Sequence, residues 1–143
     1  MSSNSFAIGS VSEMQALGQR IGSHLLAGDV LLLKGELGAG KTALTRGIGE
    51  SLGLTDISSP TFVISKIHPG KIPFIHVDAY RLRGSEIALF DDLDLESRIP
   101  GSITVIEWGS GFVERLVSTF ITVNIEFGAT ETDRIVSITG LDL

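Results

Sequence analysis

Val30-Leu-Leu-Leu-Lys-Gly-Glu-Leu-Gly-Ala-Gly-Lys-Thr42 is the stretch on which the fold turns. Its first four residues form a continuous apolar run, the pattern of a strand buried on both faces of a parallel sheet. Gly35-Glu-Leu-Gly-Ala-Gly-Lys-Thr42 follows at once and fits the Walker A pattern between that strand and the start of a helix. Each residue type has a physical job there. Gly35, Gly38 and Gly40, with Ala39 between them, let the backbone curl so that successive N–H groups face inward, and the helix N-terminus adds a partial positive charge. Such a nest accepts the β-phosphate of a nucleotide. Lys41 reaches the β- and γ-phosphates as a mobile point charge, and the Thr42 hydroxyl is suited to Mg²⁺.

Working outward, Lys41 to about Leu52 reads as the helix that follows the loop, closed by Gly53. Upstream, Phe6 to Ile8 reads as a short strand. Ser10 then caps an amphipathic helix carrying Met14, Leu17, Ile21 and Leu25, with Gly28 as its stop. Downstream of the Ser58-Ser-Pro-Thr61 break, Phe62 to Ile67 and Ile72 to Val77 form a hairpin about the turn His68-Pro-Gly-Lys71. Ser85 caps a short helix from Glu86 to about Leu93, and Ile103-Thr-Val-Ile106 is a second strand of the buried type. Ile121 to Phe127 and Ile135 to Leu141 alternate apolar and polar residues around the loop Gly128 to Asp133, which predicts a closing antiparallel pair. The expected fold is α/β: a three-layer, P-loop NTPase-like sandwich with a mixed, largely parallel central sheet and antiparallel closing strands, forming one domain over residues 1–143.

The bulk composition narrows the function. Hydrophobic residues make up 43% of the 143 positions and charged residues 20%, which is ordinary for a folded domain with its own core. Cysteine is absent, which excludes a disulfide framework, a zinc finger and thiol catalysis. No apolar run approaches a membrane span and no secretory signal opens the chain, so the expectation is a cytoplasmic protein without membrane contact. Eleven basic against seventeen acidic residues give a net charge of −6, with no basic run. Strong direct binding to nucleic acid by the chain alone is therefore not expected, because that affinity comes from neutralising phosphates. A single small anion can still be held locally by oriented N–H groups and one lysine.

A nucleotide-hydrolysing site of this type also needs an acid at the end of a neighbouring strand. Asp78 ends Pro73-Phe-Ile-His-Val77 and Glu107 ends Ile103-Thr-Val-Ile106, both at carboxyl ends of strands, where ligands of open α/β sheets gather. Glu107 follows the more apolar strand and is favoured for the metal; either acid is suited to orient the attacking water. Thr61, in Ser59-Pro-Thr61, offers a hydroxyl near a γ-phosphate. Arg81 and Arg83 are available to developing charge or to surface ion pairs, His76 shares the face of Asp78, and Trp108 either packs inward or faces a partner. No Asn-Lys-x-Asp motif for guanine is present. Few residues remain for a lid and an acceptor domain, which makes a small-molecule kinase the weakest reading. An ATPase with slow turnover and a nucleotide-dependent switch both fit the residues.

Gly35-Glu-Leu-Gly-Ala-Gly-Lys-Thr42, Ser59-Pro-Thr-Phe62, His76-Val-Asp-Ala-Tyr-Arg81 and Glu107-Trp108, in this order and spacing, closely resemble the TsaE family, also called YjeE. The resemblance covers most of the chain. It implies an ATPase required, with the TsaB and TsaD proteins, for threonylcarbamoylation of adenosine 37 in tRNAs that read codons beginning with A. Carried over, it implies that Lys41 and the Gly38–Thr42 backbone bind phosphates, that Thr42 and Glu107 bind Mg²⁺, and that Asp78 and Thr61 lie near the γ-phosphate. The chain departs from the family pattern at Ala43, where a second Thr is common, and at Gly109, where a Pro is common.

Overall fold

A computed structural model of the chain describes residues 3–55, 65–78, 95–108 and 113–143. Strand β2 (Val30–Gly35) lies at the centre of a seven-stranded sheet, because a run with no polar side for water must be covered on both faces. It pairs in parallel with β5 (Ile103–Glu107) on one side and with β6 (Ile121–Phe127) on the other. Beyond β5, β4 (Phe74–Asp78) adds another parallel pair, and β3 (Ser65–His68) closes that edge antiparallel to β4. Beyond β6, β7 (Arg134–Thr139) and β1 (Ser3–Ile8) each pair antiparallel to the strand before them. The sheet is thus mixed, parallel in its centre and antiparallel at both edges, as the sequence predicted.

Alternation along the strands sorts the core into two halves. Leu31, Leu33, Ile103, Val105 and Val123 face helices α1 (Val11–Gly22) and α2 (Lys41–Ser51). Val30, Leu32, Ile75, Val77 and Ile106 face the other way, against Leu95, Ile99 and Val113 from short helical turns. Full burial of each large aliphatic side chain contributes about 1.5–3 kcal/mol, so these two faces account for the sheet's cohesion.

The helices meet backbone to backbone. A Cβ built on Gly18 would lie 2.1 Å from Leu44 O, one on Gly22 1.9 Å from Ser51 Oγ, and one on Gly47 2.0 Å from Gln15 O. Met14 adjoins Gly40, Gly18 adjoins Leu44 and Gly22 adjoins Ile48, a constant offset that makes α1 and α2 run side by side in one direction. Both N-termini therefore lie at the same end of the sheet.

Several boundaries differ from the sequence reading. Helix α1 ends at Gly22 and not at Gly28. The chain tightens there: His24 N–H donates to Ile21 O, Leu25 N–H to Gly22 O, and the Ser23 hydroxyl to Arg20 O. Leu25 keeps its place in the core from this turn, which is why its spacing mimics one more helical turn. Gly28 (φ +99) instead turns the chain into β2, donating its N–H to Ser102 O at 2.8 Å. The hairpin forms with Ile67 opposite Ile75, but β3 includes His68, so the turn begins at Pro69. The closing pair is joined by β1 and tied to β2, so it is part of the main sheet. Phe62 to Ile64 and the expected helix from Glu86 to Leu93 lie outside the described residues.

Candidate functional site at the carboxyl end of the sheet

The parallel register decides which side chains meet. Asp78 stands opposite Glu107, and His76 opposite Val105, so both acids leave the carboxyl ends of adjacent strands on the face that carries α1 and α2. The glycine-rich loop leaves the carboxyl end of β2 on that same face and delivers Lys41 as the first residue of α2. Gly38 (φ +83) and Gly40 (φ +111) adopt left-handed backbone that other residues reach only with strain. Gly35 is needed for a different reason, since a Cβ there would press on Ala39 Cβ at 3.3 Å and Ile125 Cβ at 3.4 Å.

Helix α2 begins at Gly40 with no side-chain cap and with no acid in its first turn. The first turn of a helix carries N–H groups with no partner inside the helix and the positive end of its dipole, and neither a capping side chain at Gly40 nor an acid in that turn meets them here. Ala39 N–H is taken by Glu36 O at 3.0 Å within the loop turn. Thr42 is exposed at this end, and the space beside Gly38 is open, with nothing within 4 Å of where a Cβ would stand.

Lys41 is 8% exposed and its Nζ lies 3.7 Å from Glu107 Oε1, an ion pair too long for a hydrogen bond. The same ammonium sits 3.9 Å from the centroid of the Trp108 ring, a cation–π contact. Trp108 reaches this position through a positive φ of 60°, rare for a bulky residue, which turns the chain sharply as it leaves β5. Burial lowers the pKa of Lys41 from its ordinary 10.5; the negative charges of Glu107 and Asp78 partly offset that effect. Glu107 in turn accepts a hydrogen bond at 2.5 Å from His76 Nε2, so this nitrogen carries the proton. His76 is buried, and its Nδ1 has no hydrogen-bond partner among the described residues.

Of the residues singled out from the sequence, Gly35, Gly38, Ala39, Gly40, Lys41, Thr42, Asp78, Glu107, His76 and Trp108 gather at one end of the sheet. Thr61, Arg81, Arg83 and Gly109 lie outside the described residues. One contact and one residue escaped the sequence reading. The bond from His76 to Glu107 has a signal only in retrospect, in the two-residue spacing from His76 to Asp78 and the parallel register. Arg134 donates from Nε to Ala39 O at 3.2 Å and from a terminal nitrogen to Gly38 O at 3.4 Å, and nothing in its neighbourhood at the start of an alternating strand announces this.

The chain matches a family model described as threonylcarbamoyl adenosine biosynthesis protein TsaE over residues 8–136. It is 46% identical over 135 residues to the tRNA threonylcarbamoyladenosine biosynthesis protein TsaE of Streptomyces coelicolor, covering 90% of each chain. The protein of that name from Mycobacterium tuberculosis is 40% identical, over 81% of this chain and 74% of its own. Among solved structures, the crystal structure of YdiB from Bacillus subtilis superposes with a TM-score of 0.78 at 29% identity, covering 96% of this chain and 84% of that one. On sequence and fold together, the chain belongs to the TsaE family, whose members take part in tRNA threonylcarbamoyladenosine biosynthesis.

Proposed function

We propose that this protein binds and hydrolyses Mg²⁺–ATP in support of N6-threonylcarbamoyladenosine formation in tRNA, acting with TsaB and TsaD. The observation that carries this is the meeting of Lys41, Glu107 and Asp78 beside an uncapped helix N-terminus. The tRNA pathway itself rests on the names borne by the relatives.

The donor set suits this ligand. Among the described residues no three His, Asp or Glu side chains form a metal cluster. One carboxylate and one hydroxyl match an ion that keeps waters and takes its remaining ligands from phosphates. Thr42 and Glu107 would hold Mg²⁺, which would supply charge neutralisation to the phosphates. A ligand with both phosphate and cation fits the Lys41–Glu107 pair, since it offers the ammonium an anion and the carboxylate a metal.

In hydrolysis Lys41 neutralises charge developing on the transferred phosphoryl group, and the loop N–H groups hold the leaving β-phosphate. Asp78 or Glu107 orients the attacking water for in-line displacement, with the Thr61 hydroxyl near the γ-phosphate. His76 fixes the Glu107 carboxylate through Nε2. Turnover alone is slow, and a partner completes the site.

ATPase rates measured with and without TsaB and TsaD test this reading, with stimulation by the partners expected. Full activity alone, unchanged by them, would overturn the partner-completed site. Glu107→Ala is expected to reduce hydrolysis about a hundredfold or more and tRNA modification with it. If modification continued through many turnovers while hydrolysis was lost, the protein would be a nucleotide-dependent switch.

A further inference from the structure

Four backbone carbonyls converge on one guanidinium, and two of them belong to the glycine-rich loop. Arg134, the first residue of β7, donates from Nε to Ala39 O at 3.2 Å and from Nη2 to Gly38 O at 3.4 Å. Its Nη1 donates to Glu131 O at 2.7 Å and Asp133 O at 2.8 Å, in the turn between β6 and β7. The guanidinium carbon lies 4.6 Å from the centroid of the Phe127 ring. We propose that Arg134 is a positioning residue that braces the outer side of the phosphate loop, aiming the Gly40 N–H at the ligand and holding closed the turn that Ala39 N–H makes. This deepens the nucleotide-binding reading above and rests on it.

The physical link is the planarity of the peptide. C=O and N–H of one trans peptide point in opposite directions, so fixing Ala39 O toward Arg134 fixes the Gly40 N–H toward the opposite side. Fixing Gly38 O in the same way orients the Ala39 N–H, which closes the turn onto Glu36 O. Without a brace, a loop built on two left-handed glycines has wide freedom, and a ligand would have to order it on binding. Only an arginine suits the position. Its rigid fork carries five donors, four of them used here in two separate segments, whereas a lysine offers three donors from one point. The half-exposed Phe127 then has a use as the platform on which the guanidinium lies.

Hydrogen–deuterium exchange across the loop from Glu36 to Lys41, paired with the dissociation constant for ADP, tests the proposal on the intact chain. Arg134→Met is expected to speed exchange in the loop about tenfold and weaken ADP about tenfold, with β2 and β5 exchanging as before. Arg134→Lys keeps the charge but cannot span both segments, and is expected to recover little. Phe127→Ala, which spares the guanidinium and removes its platform, is expected to fall between and serves if Arg134→Met does not fold. The proposal is overturned if loop exchange and ADP affinity stay within about twofold of the parent, if exchange rises evenly through the molecule, or if lysine restores both. Should the parent fail to bind ADP while Arg134→Met still loosens the loop, the brace stands and the nucleotide reading falls. If the parent binds and the loop is indifferent, the reverse holds.

Discussion

Helices α1 and α2 lie against each other, run in the same direction and present their N-termini at the same end of the sheet, yet the two ends are finished in opposite ways. At α1 the Ser10 hydroxyl accepts from Glu13 N–H at 3.1 Å, and the Glu13 carboxylate accepts from Gly9 N–H at 2.7 Å. The chain's own side chains close this end, in a capping-box arrangement shifted by one residue. At α2 a left-handed glycine replaces the cap, the first turn has no acid, and the first side chain is a buried lysine. The same backbone dipole meets a capping serine and an acid in one helix and neither of these in the other, which is where the proposed nucleotide phosphate would sit. The two strand-end acids beside the α2 end, Asp78 and Glu107, would repel a bare anion there and suit one that arrives with a cation.

The contrast depends on the two helices being locked together, and disturbing that contact has the largest expected effect. Gly47→Ala puts a methyl 2.0 Å from Gln15 O, where backbone cannot yield as a flexible side chain would. Overpacking of this kind costs about 3 kcal/mol, more than the roughly 1 kcal/mol that alanine gains over glycine in helix propensity. Thermal or urea unfolding should show the loss, and an unchanged midpoint would mean that the helices separate freely.

Next in size is Lys41→Met, which removes the charge from the open end while keeping most of its volume. A charge-assisted hydrogen bond contributes about 1.5–3 kcal/mol, so nucleotide affinity should fall by about ten- to a hundredfold in a titration with ADP. Ser10→Ala, at the closed end, should cost about 1 kcal/mol of stability and leave ADP affinity unchanged. If the serine variant weakened ADP as much as the lysine variant, the division of labour between the two ends would be wrong.

Most of this contrast was legible in the sequence, and the part that was not has a common cause. Continuous against alternating apolar runs separated the central strand β2 from the outer strands β6 and β7, and the glycine spacing placed the loop and α2. Helix α1 was overextended because Leu25 keeps helical spacing while lying in a turn, so periodicity reported burial and not backbone conformation. Strand ends nominated Asp78 and Glu107, but their adjacency needed the β4–β5 register, which no local pattern encodes. His76 on Glu107, 31 residues away, and Arg134 on Ala39, 95 residues away, are products of topology. Residue chemistry and local period are written along the chain; who meets whom across the sheet is not.

The smallest expected effect separates the two ends by their response to pH. Burial lowers the pKa of Lys41 in the folded chain below its ordinary 10.5, against the opposing pull of Glu107 and Asp78. Between the lowered value and 10.5 the unfolded chain binds more protons than the folded one, so this group's contribution to stability rises with pH across that window and is flat above it. Unfolding of the parent and of Lys41→Met, followed from about pH 8 to about pH 11, should therefore show their difference shifting in favour of the parent as pH rises. Phosphate binding returns negative charge to the ammonium and favours its protonated form, so stabilisation by ADP should decline over the same range. The Ser10 hydroxyl does not titrate there, and the cost of Ser10→Ala should be the same at both ends of the range. A parent-minus-variant difference that falls with pH would mean that attraction to the two acids outweighs burial at Lys41, and a flat one that the two cancel.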